Sequence, residues 1–196
     1  MNMMRFTTMK TKLRKYPSIF LILLLAISSC FLTGCVNQHP KDSKKSSQGE
    51  SVETMLEITD PKEKQAVLNA KAKVKALSGN PRIVATSPAV ADICDKLDLD
   101  LVGVPKSSVS KIPSRYKKVK KVGLAMSPDM EIVSSLNPDW ILAPSSLETD
   151  LKPKFEELKN TEYAFLNLRS VQGMYRSAQE LGEIFGKQQE AEKMTK

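Results

Sequence analysis

The chain has 196 residues, is 41% hydrophobic and 27% charged, and carries a net charge of +8. That length makes one domain of ordinary globular composition and excludes a disordered chain or a multi-pass membrane protein. Arg5, Lys10, Lys12, Arg14 and Lys15 fall in the first 34 residues with no acid among them, and without that stretch 25 cations face 22 anions. The basic balance is therefore an N-terminal targeting effect rather than a nucleic-acid footprint. No zinc-finger spacing, Walker A loop or aromatic RNA-binding pattern argues otherwise.

Ile19 to Leu32 form an uncharged apolar run behind the basic stretch. It is short for a membrane span of about 20 residues and fits the core of a secretory signal. Leu32-Thr33-Gly34-Cys35 follows and resembles the bacterial lipobox, which is cut just before its cysteine. Residues 1–34 thus read as a lipoprotein signal peptide and Cys35 as the diacylated mature N-terminus, held at the extracytoplasmic face of the cell membrane. Two acyl chains suffice for stable anchoring. Residues 35–59 are the lipidated cysteine and a polar tether that contains the only histidine, His39, beside the anchor. Cys30 lies in the leader. Cys94 falls on the apolar face of a helix and reads as a buried thiol, so no disulfide is expected in the mature chain.

Asp60-Pro61-Lys62-Glu63 reads as a helix start, with Asp60 as N-cap and Pro61 at the first position. Val67, Ala70, Val74 and Leu77 form one stripe, and Gly79 and Pro81 end it, so residues 60–80 read as a helical spacer or packing strut. Alternating units follow. Arg82 to Thr86 is a strand, Ser87 an N-cap, and Val90, Ile93, Cys94 and Leu97 one helix face. Leu101 to Val104 is the second strand of a parallel crossover. Val119 to Val122 is a weak strand. Ser127 is expected to cap a helix with Pro128 at its first position and Asp129 and Glu131 in its first turn, ending at Asn137-Pro138. Trp140 to Ala143 is a strand, Leu151 to Leu158 a helix, and Tyr163 to Leu168 a strand. From Ser170 one long helix is expected to run to Lys196. The pattern is α/β with a mostly parallel sheet flanked by helices.

Arg82-Ile83-Val84, Asp95-Lys96-Leu97-Asp98-Leu99 and Val102-Gly103 resemble the first βαβ unit of bacterial iron-complex substrate-binding lipoproteins. Pro113-Ser114-Arg115-Tyr116-Lys117, Gly123-Leu124-Ala125-Met126-Ser127-Pro128 and Leu136-Asn137-Pro138-Asp139 follow in the family order. The likeness is strongest to the haem-binding branch found in the iron-regulated surface determinant systems of Gram-positive bacteria. It implies two α/β lobes joined by a long helix, with cargo between them. Residues 81–169 would be the N-terminal lobe, residues 170–196 the start of the interlobe helix, truncated, and the second lobe is missing. The resemblance implies haem b as cargo and Met126 as an axial ligand of its iron. It also implies haem contacts from Pro88 and Ala89 at a helix mouth and from Ser107 and Ser108 in the loop after the second strand. The aromatic residue that the family carries near Ser108 is absent. The implied partners are an ABC permease of a haem importer, cell-surface haem-donor proteins and the membrane, with no nucleic acid.

The residues themselves fit this chemistry. A thioether is a soft, neutral iron ligand, although a methionine also fills core gaps. Read from spacing, Met126 precedes the expected cap Ser127 and faces Glu131 where an apolar staple partner would stand, so it is free to face a cleft. Met130 is its local competitor and fits core packing better. The N–H groups behind Ser87 and Pro88 suit a carboxylate, and Lys106 adds charge. The serines suit ordinary turn chemistry equally well. The Lys-rich stretch Arg115 to Lys121 reads as a solvated face that suits anionic lipid headgroups. Glu156 and Glu157 point apart on a helix, and no catalytic constellation is present, so no enzyme is expected. A siderophore or cobalamin cargo, or a ligand-silent truncated structural module, are the competing readings.

Overall fold

The computed structural model describes residues 5–6 and 60–195. The expected signal core, the expected lipidation site Cys35, His39 and the expected tether lie outside the described residues. Residues 60–195 fall within one compact unit. Its centre is a sheet in the order β8-β7-β2-β3-β4, all parallel. The strands are β2 (Ile83–Ala85), β3 (Leu101–Val104), β4 (Lys120–Lys121), β7 (Trp140–Pro144) and β8 (Glu162–Leu166). A two-residue strand near the N-terminus, β1 (Arg5–Phe6), lies antiparallel on β8. The helices are α1 (Pro61–Lys75), α2 (Pro88–Lys96), α3 (Met130–Ser135), α4 (Glu148–Glu156), α5 (Val171–Phe185) and α6 (Gln188–Met194).

Alternation along the strands divides the core in two. Ile83, Ala85, Trp140, Leu142, Ala164 and Leu166 face α1, α2, α5 and α6. Val84, Ile141, Ala143, Tyr163 and Phe165 face α3 and α4. Both faces are therefore covered, which is why β2, β7 and β8 are apolar almost throughout. The first of the five parallel strands in sequence, β2, is central among them, and the winding reverses between β2 and β7. With connections of one hand, that reversal puts α2 on one face and α3 and α4 on the other. Arg82 fastens the amino ends of the two halves: its N–H donates to Asp139 Oδ2 at 2.8 Å and its Nη2 to the Leu136 carbonyl at 2.7 Å.

The strut α1 packs on the core through Val67 and Ala70. Three ion pairs hold it: Lys71 to Glu183 at 2.7 Å, Lys73 to Glu162, and Glu63 to Arg176 at 3.0 Å. The last pair extends to Glu180, whose Oε1 is 3.8 Å from Arg176 Nε. Glu63 Oε1, Arg176 Nε and Glu180 Oε2 are buried with no hydrogen-bond partner. Burial, with the Glu63 carboxylate beside it, pushes Glu180 up to about 9. At neutral pH this carboxyl keeps its proton, because one guanidinium cannot compensate two carboxylates out of water.

The expected helix from Ser170 to Lys196 is two helices. The helix starts at Ser170 as expected, and Ser170 caps α5, its Oγ accepting from Gly173 N. Gly186 then adopts φ +72° and ends α5, and the chain turns into α6. Glycine alone has no steric penalty there. A Cβ on Gly182 would stand 2.8 Å from Ala191 Cβ, so the two helices meet at a glycine. The weak strand expected over 119–122 shortens to β4. The helix expected over 151–158 begins three residues earlier and carries Pro153 inside it. Cys94 is a free, buried thiol as expected, and burial pushes it up to about 12, so it is inert.

Candidate ligand-binding edge

In an open parallel sheet, ligands bind outside the carboxyl ends of the strands where the winding reverses. Here the reversal lies between β2 and β7. Thr86 ties the two together there: its N–H donates to the Leu142 carbonyl at 3.0 Å and its hydroxyl to the same oxygen at 3.3 Å. The chain leaves β2 through Thr86 and Ser87 into α2. Ser87 is buried, and its Oγ accepts from Val90 N at 3.2 Å, the expected cap. Pro88 is half-buried and Ala89 exposed at the mouth of α2. Because Pro88 has no N–H and Ser87 takes that of Val90, the Ala89 N–H is the first-turn donor left for an anion.

The loop after β3 reaches the same edge. Ser107 Oγ accepts from Ser110 N at 3.0 Å, which is turn chemistry, while Ser108 is exposed. Lys106 N donates to the Gly123 carbonyl at 2.7 Å. That bond ties the loop to the segment carrying Met126.

That segment departs from expectation. Ser127 does not cap a helix and Pro128 does not open one. Both lie in β6 (Ser127–Pro128), antiparallel to β5 (Gly123–Leu124), in the register Leu124 to Ser127 and Gly123 to Pro128. Ala125 and Met126 form the two-residue turn of this hairpin. The helix cap is Asp129, whose Oδ1 accepts from Glu131 N at 3.1 Å and Ile132 N at 3.0 Å. The close return of the chain decides this. Asp129 N donates to the Val122 carbonyl at 2.7 Å, and Gly123 sits at φ +95° with room for no side chain, since a Cβ there would lie 2.9 Å from Asp129 N. The sequence signal for the hairpin was Gly123 five residues before Pro128, read instead as helix-start chemistry.

Met126 is accordingly 72% exposed, at the tip of a hairpin rather than before a helix cap. Met126 is not a residue before a helix cap, and its side chain is free because a two-residue turn projects it. Leu124 beside it is 59% exposed and Val109 in the facing loop 95% exposed, so the edge carries apolar surface that spacing did not reveal. Met130, the competitor, is half-buried against the core, as expected. The structure thus brings Pro88, Ala89, Ser107, Ser108 and Met126 to the carboxyl side of adjoining strands. From residue 101 to residue 128 there is no acid and no histidine. This edge offers a soft sulfur, apolar surface, hydroxyls and a helix mouth. It has the means to hold a flat or anionic ligand.

Comparison with known proteins agrees. The family model for periplasmic binding proteins matches residues 83–196. The high-affinity heme uptake system protein IsdE of Staphylococcus aureus is 36% identical over 117 residues, covering 60% of this chain and 39% of that protein. Its crystal structure complexed with heme aligns over 59% of this chain and 44% of its own, with a TM-score of 0.55. An ABC transporter substrate-binding protein from Listeria monocytogenes is 45% identical with a TM-score of 0.56, covering 59% of this chain and 44% of that one. A petrobactin-binding protein, YclQ from Bacillus subtilis, is 26% identical with a TM-score of 0.50, covering 58% and 42%. The chain spans less than half the length of these relatives.

Proposed function

Because the chain belongs to the family of periplasmic binding proteins, we propose that it captures haem for an ABC-type importer, as the N-terminal lobe of a lipid-anchored substrate-binding protein. The observation that carries this reading is Met126, a thioether projected from a hairpin over the carboxyl edge of the sheet and 72% exposed. A core methionine has no reason to stand there, whereas a haem ligand must. The mouth of α2 and the Ser107–Ser108 loop would take the porphyrin edge and a propionate. The heme-bound IsdE structure and the 36% identity of that protein support haem as cargo.

No histidine stands among the described residues, so the lobe supplies one axial ligand and leaves the opposite haem face to water or a second protein surface. In this reading a lipidated Cys35 holds the protein on the extracytoplasmic face of the cell membrane. The polar tether lets the lobe move between surface haem donors and the permease, and residues 170–196 would begin the segment that joins it to a second lobe. A siderophore is the second reading, favoured by the likeness to petrobactin-binding YclQ. Haem titration of the Ser51–Lys196 unit decides between them. Wild type should give a saturable Soret band, and Met126→Ala should weaken or shift it without altering thermal stability. A response equal to that of an unrelated protein refutes the haem assignment. Iron–siderophore quenching of Trp140 then tests the other cargo, and silence in both assays leaves a structural module.

A further inference from the structure

The cations of this lobe are unevenly placed. Residues 101–128 contain seven Lys and Arg and no acid, whereas the rest of residues 60–196 carries 15 cations against 18 acids. Arg115 is spent: it donates to Asp98 at 2.9 Å and Asp100 at 2.8 Å. Lys187 also holds Asp98, at 2.9 Å, so Asp98 and Asp100 are already paired without drawing on the other lysines of this stretch. Lys106, Lys111, Lys117, Lys118, Lys120 and Lys121 remain. All six are exposed, and none makes an ion pair among the described residues.

Topology gathers them. Lys120 and Lys121 are β4 itself, the outer strand of the sheet, paired on one side only with Gly103 and Val104. Lys117 and Lys118 lead into its amino end from the turn at Ser114–Tyr116. Lys106 follows the carboxyl end of the neighbouring strand β3, and Lys111 lies further along the same loop. Tyr116 anchors the stretch, its hydroxyl donating to the Leu99 carbonyl at 2.6 Å. Two lysines would suffice to keep an open strand edge from pairing with another chain. Six uncompensated ones, repelling each other on a rigid border, exceed that need.

We propose that this border along β4 docks on an anionic phospholipid bilayer. A cluster of four to eight lysines without acids is the pattern that polyanionic lipid surfaces attract, at roughly fivefold in partitioning per cation near the surface. A chain tethered to the membrane by acyl groups would meet such a surface continuously. The inference takes that setting from the proposed function, but its test dispenses with the anchor.

The test is cosedimentation of the non-acylated Ser51–Lys196 unit with vesicles at low and physiological salt. Wild type should bind vesicles containing phosphatidylglycerol, leave pure phosphatidylcholine unbound, and release as salt rises. Substituting Lys117, Lys118, Lys120 and Lys121 by Gln should cut binding at least tenfold. The same exchange at Lys64, Lys75, Lys159 and Lys193, exposed elsewhere, should change it less than twofold. Unaltered melting temperatures certify the folds, and single Lys→Gln exchanges replace a quadruple variant that fails to fold. Equal binding to both lipids, equal losses in both variants, or retention on heparin without vesicle binding overturns the proposal. Haem titration is indifferent to these substitutions, so loss of lipid docking and loss of the haem assignment are separate results.

Discussion

Glu180 should make this protein less stable as the solution becomes more alkaline, and Glu180→Gln should abolish that dependence. The side chain is 1% exposed and lies between α1 and α5 beside Glu63 and Arg176. Burial raises it from 4.5 to about 9, and the neighbouring Glu63 carboxylate adds to the rise. The folded state therefore keeps a proton that the unfolded chain releases. A group shifted this way contributes stability that is fully present below pH 4.5 and is lost as pH climbs toward 9. The limiting slope is about 1.4 kcal/mol per pH unit, so moving from pH 6 to pH 8 removes about 3 kcal/mol. Set against a total of roughly 5–15 kcal/mol, that loss is large. Glutamine copies the shape and neutrality of the protonated acid and cannot ionise. Urea unfolding followed by Trp140 fluorescence at pH 6, 7 and 8 reads the difference: wild type weakens with pH, the variant stays level, and the variant is the more stable at pH 8. Parallel pH profiles would refute the reasoning, as would a variant that weakens more steeply than wild type.

Three other outcomes follow from the geometry. Asp129→Ala should cost about 1 kcal/mol in chemical denaturation, while Ser127→Ala should stay within about 0.5 kcal/mol, because the aspartate caps α3 and the serine is an exposed strand residue. Gly123→Ala should destabilise by more than about 1 kcal/mol and disorder the hairpin resonances in NMR spectra, since φ +95° and the 2.9 Å approach to Asp129 N leave no place for a methyl group. Phe155→Ala should lower stability by about 3–5 kcal/mol in the same urea assay. Its ring is fully buried between Tyr163 and Phe165, with centroids 5.9 and 5.8 Å away.

The sheet was legible because both its faces are buried. Runs such as Ile83–Ala85 and Trp140–Pro144 are apolar regardless of face, and the Ser87-Pro88 start of α2 is written in capping chemistry. What escaped was decided at short range by backbone. Ser-Pro followed by two acids at 127–131 satisfies every rule for a helix start, yet Gly123 permits a reversal that pairs Ser127 with Leu124 and moves the cap two residues on. Gly186 likewise interrupts an apolar stripe that continues in phase on either side, so periodicity alone joins α5 to α6. In the candidate site, sequence identified residues arriving at one edge. It did not disclose that Lys106 N and the Gly123 carbonyl bind the loop to the hairpin, nor that Leu124 and Val109 stand exposed there, since apolar residues are ordinarily assigned to the core.

The central position of β2 also governs when the fold can form. Its inner neighbours are β3, about twenty residues later, and β7, almost sixty residues later, and Asp139 must arrive before Arg82 can fasten the two halves. A nascent chain that has emerged only as far as α3 holds the middle strand of its sheet with one flank bare. Such a species is slow to mature and exposed to wrong pairing, as high-contact-order parallel sheets are. The sheet is thus completed in one late step, once β7 and β8 are both available.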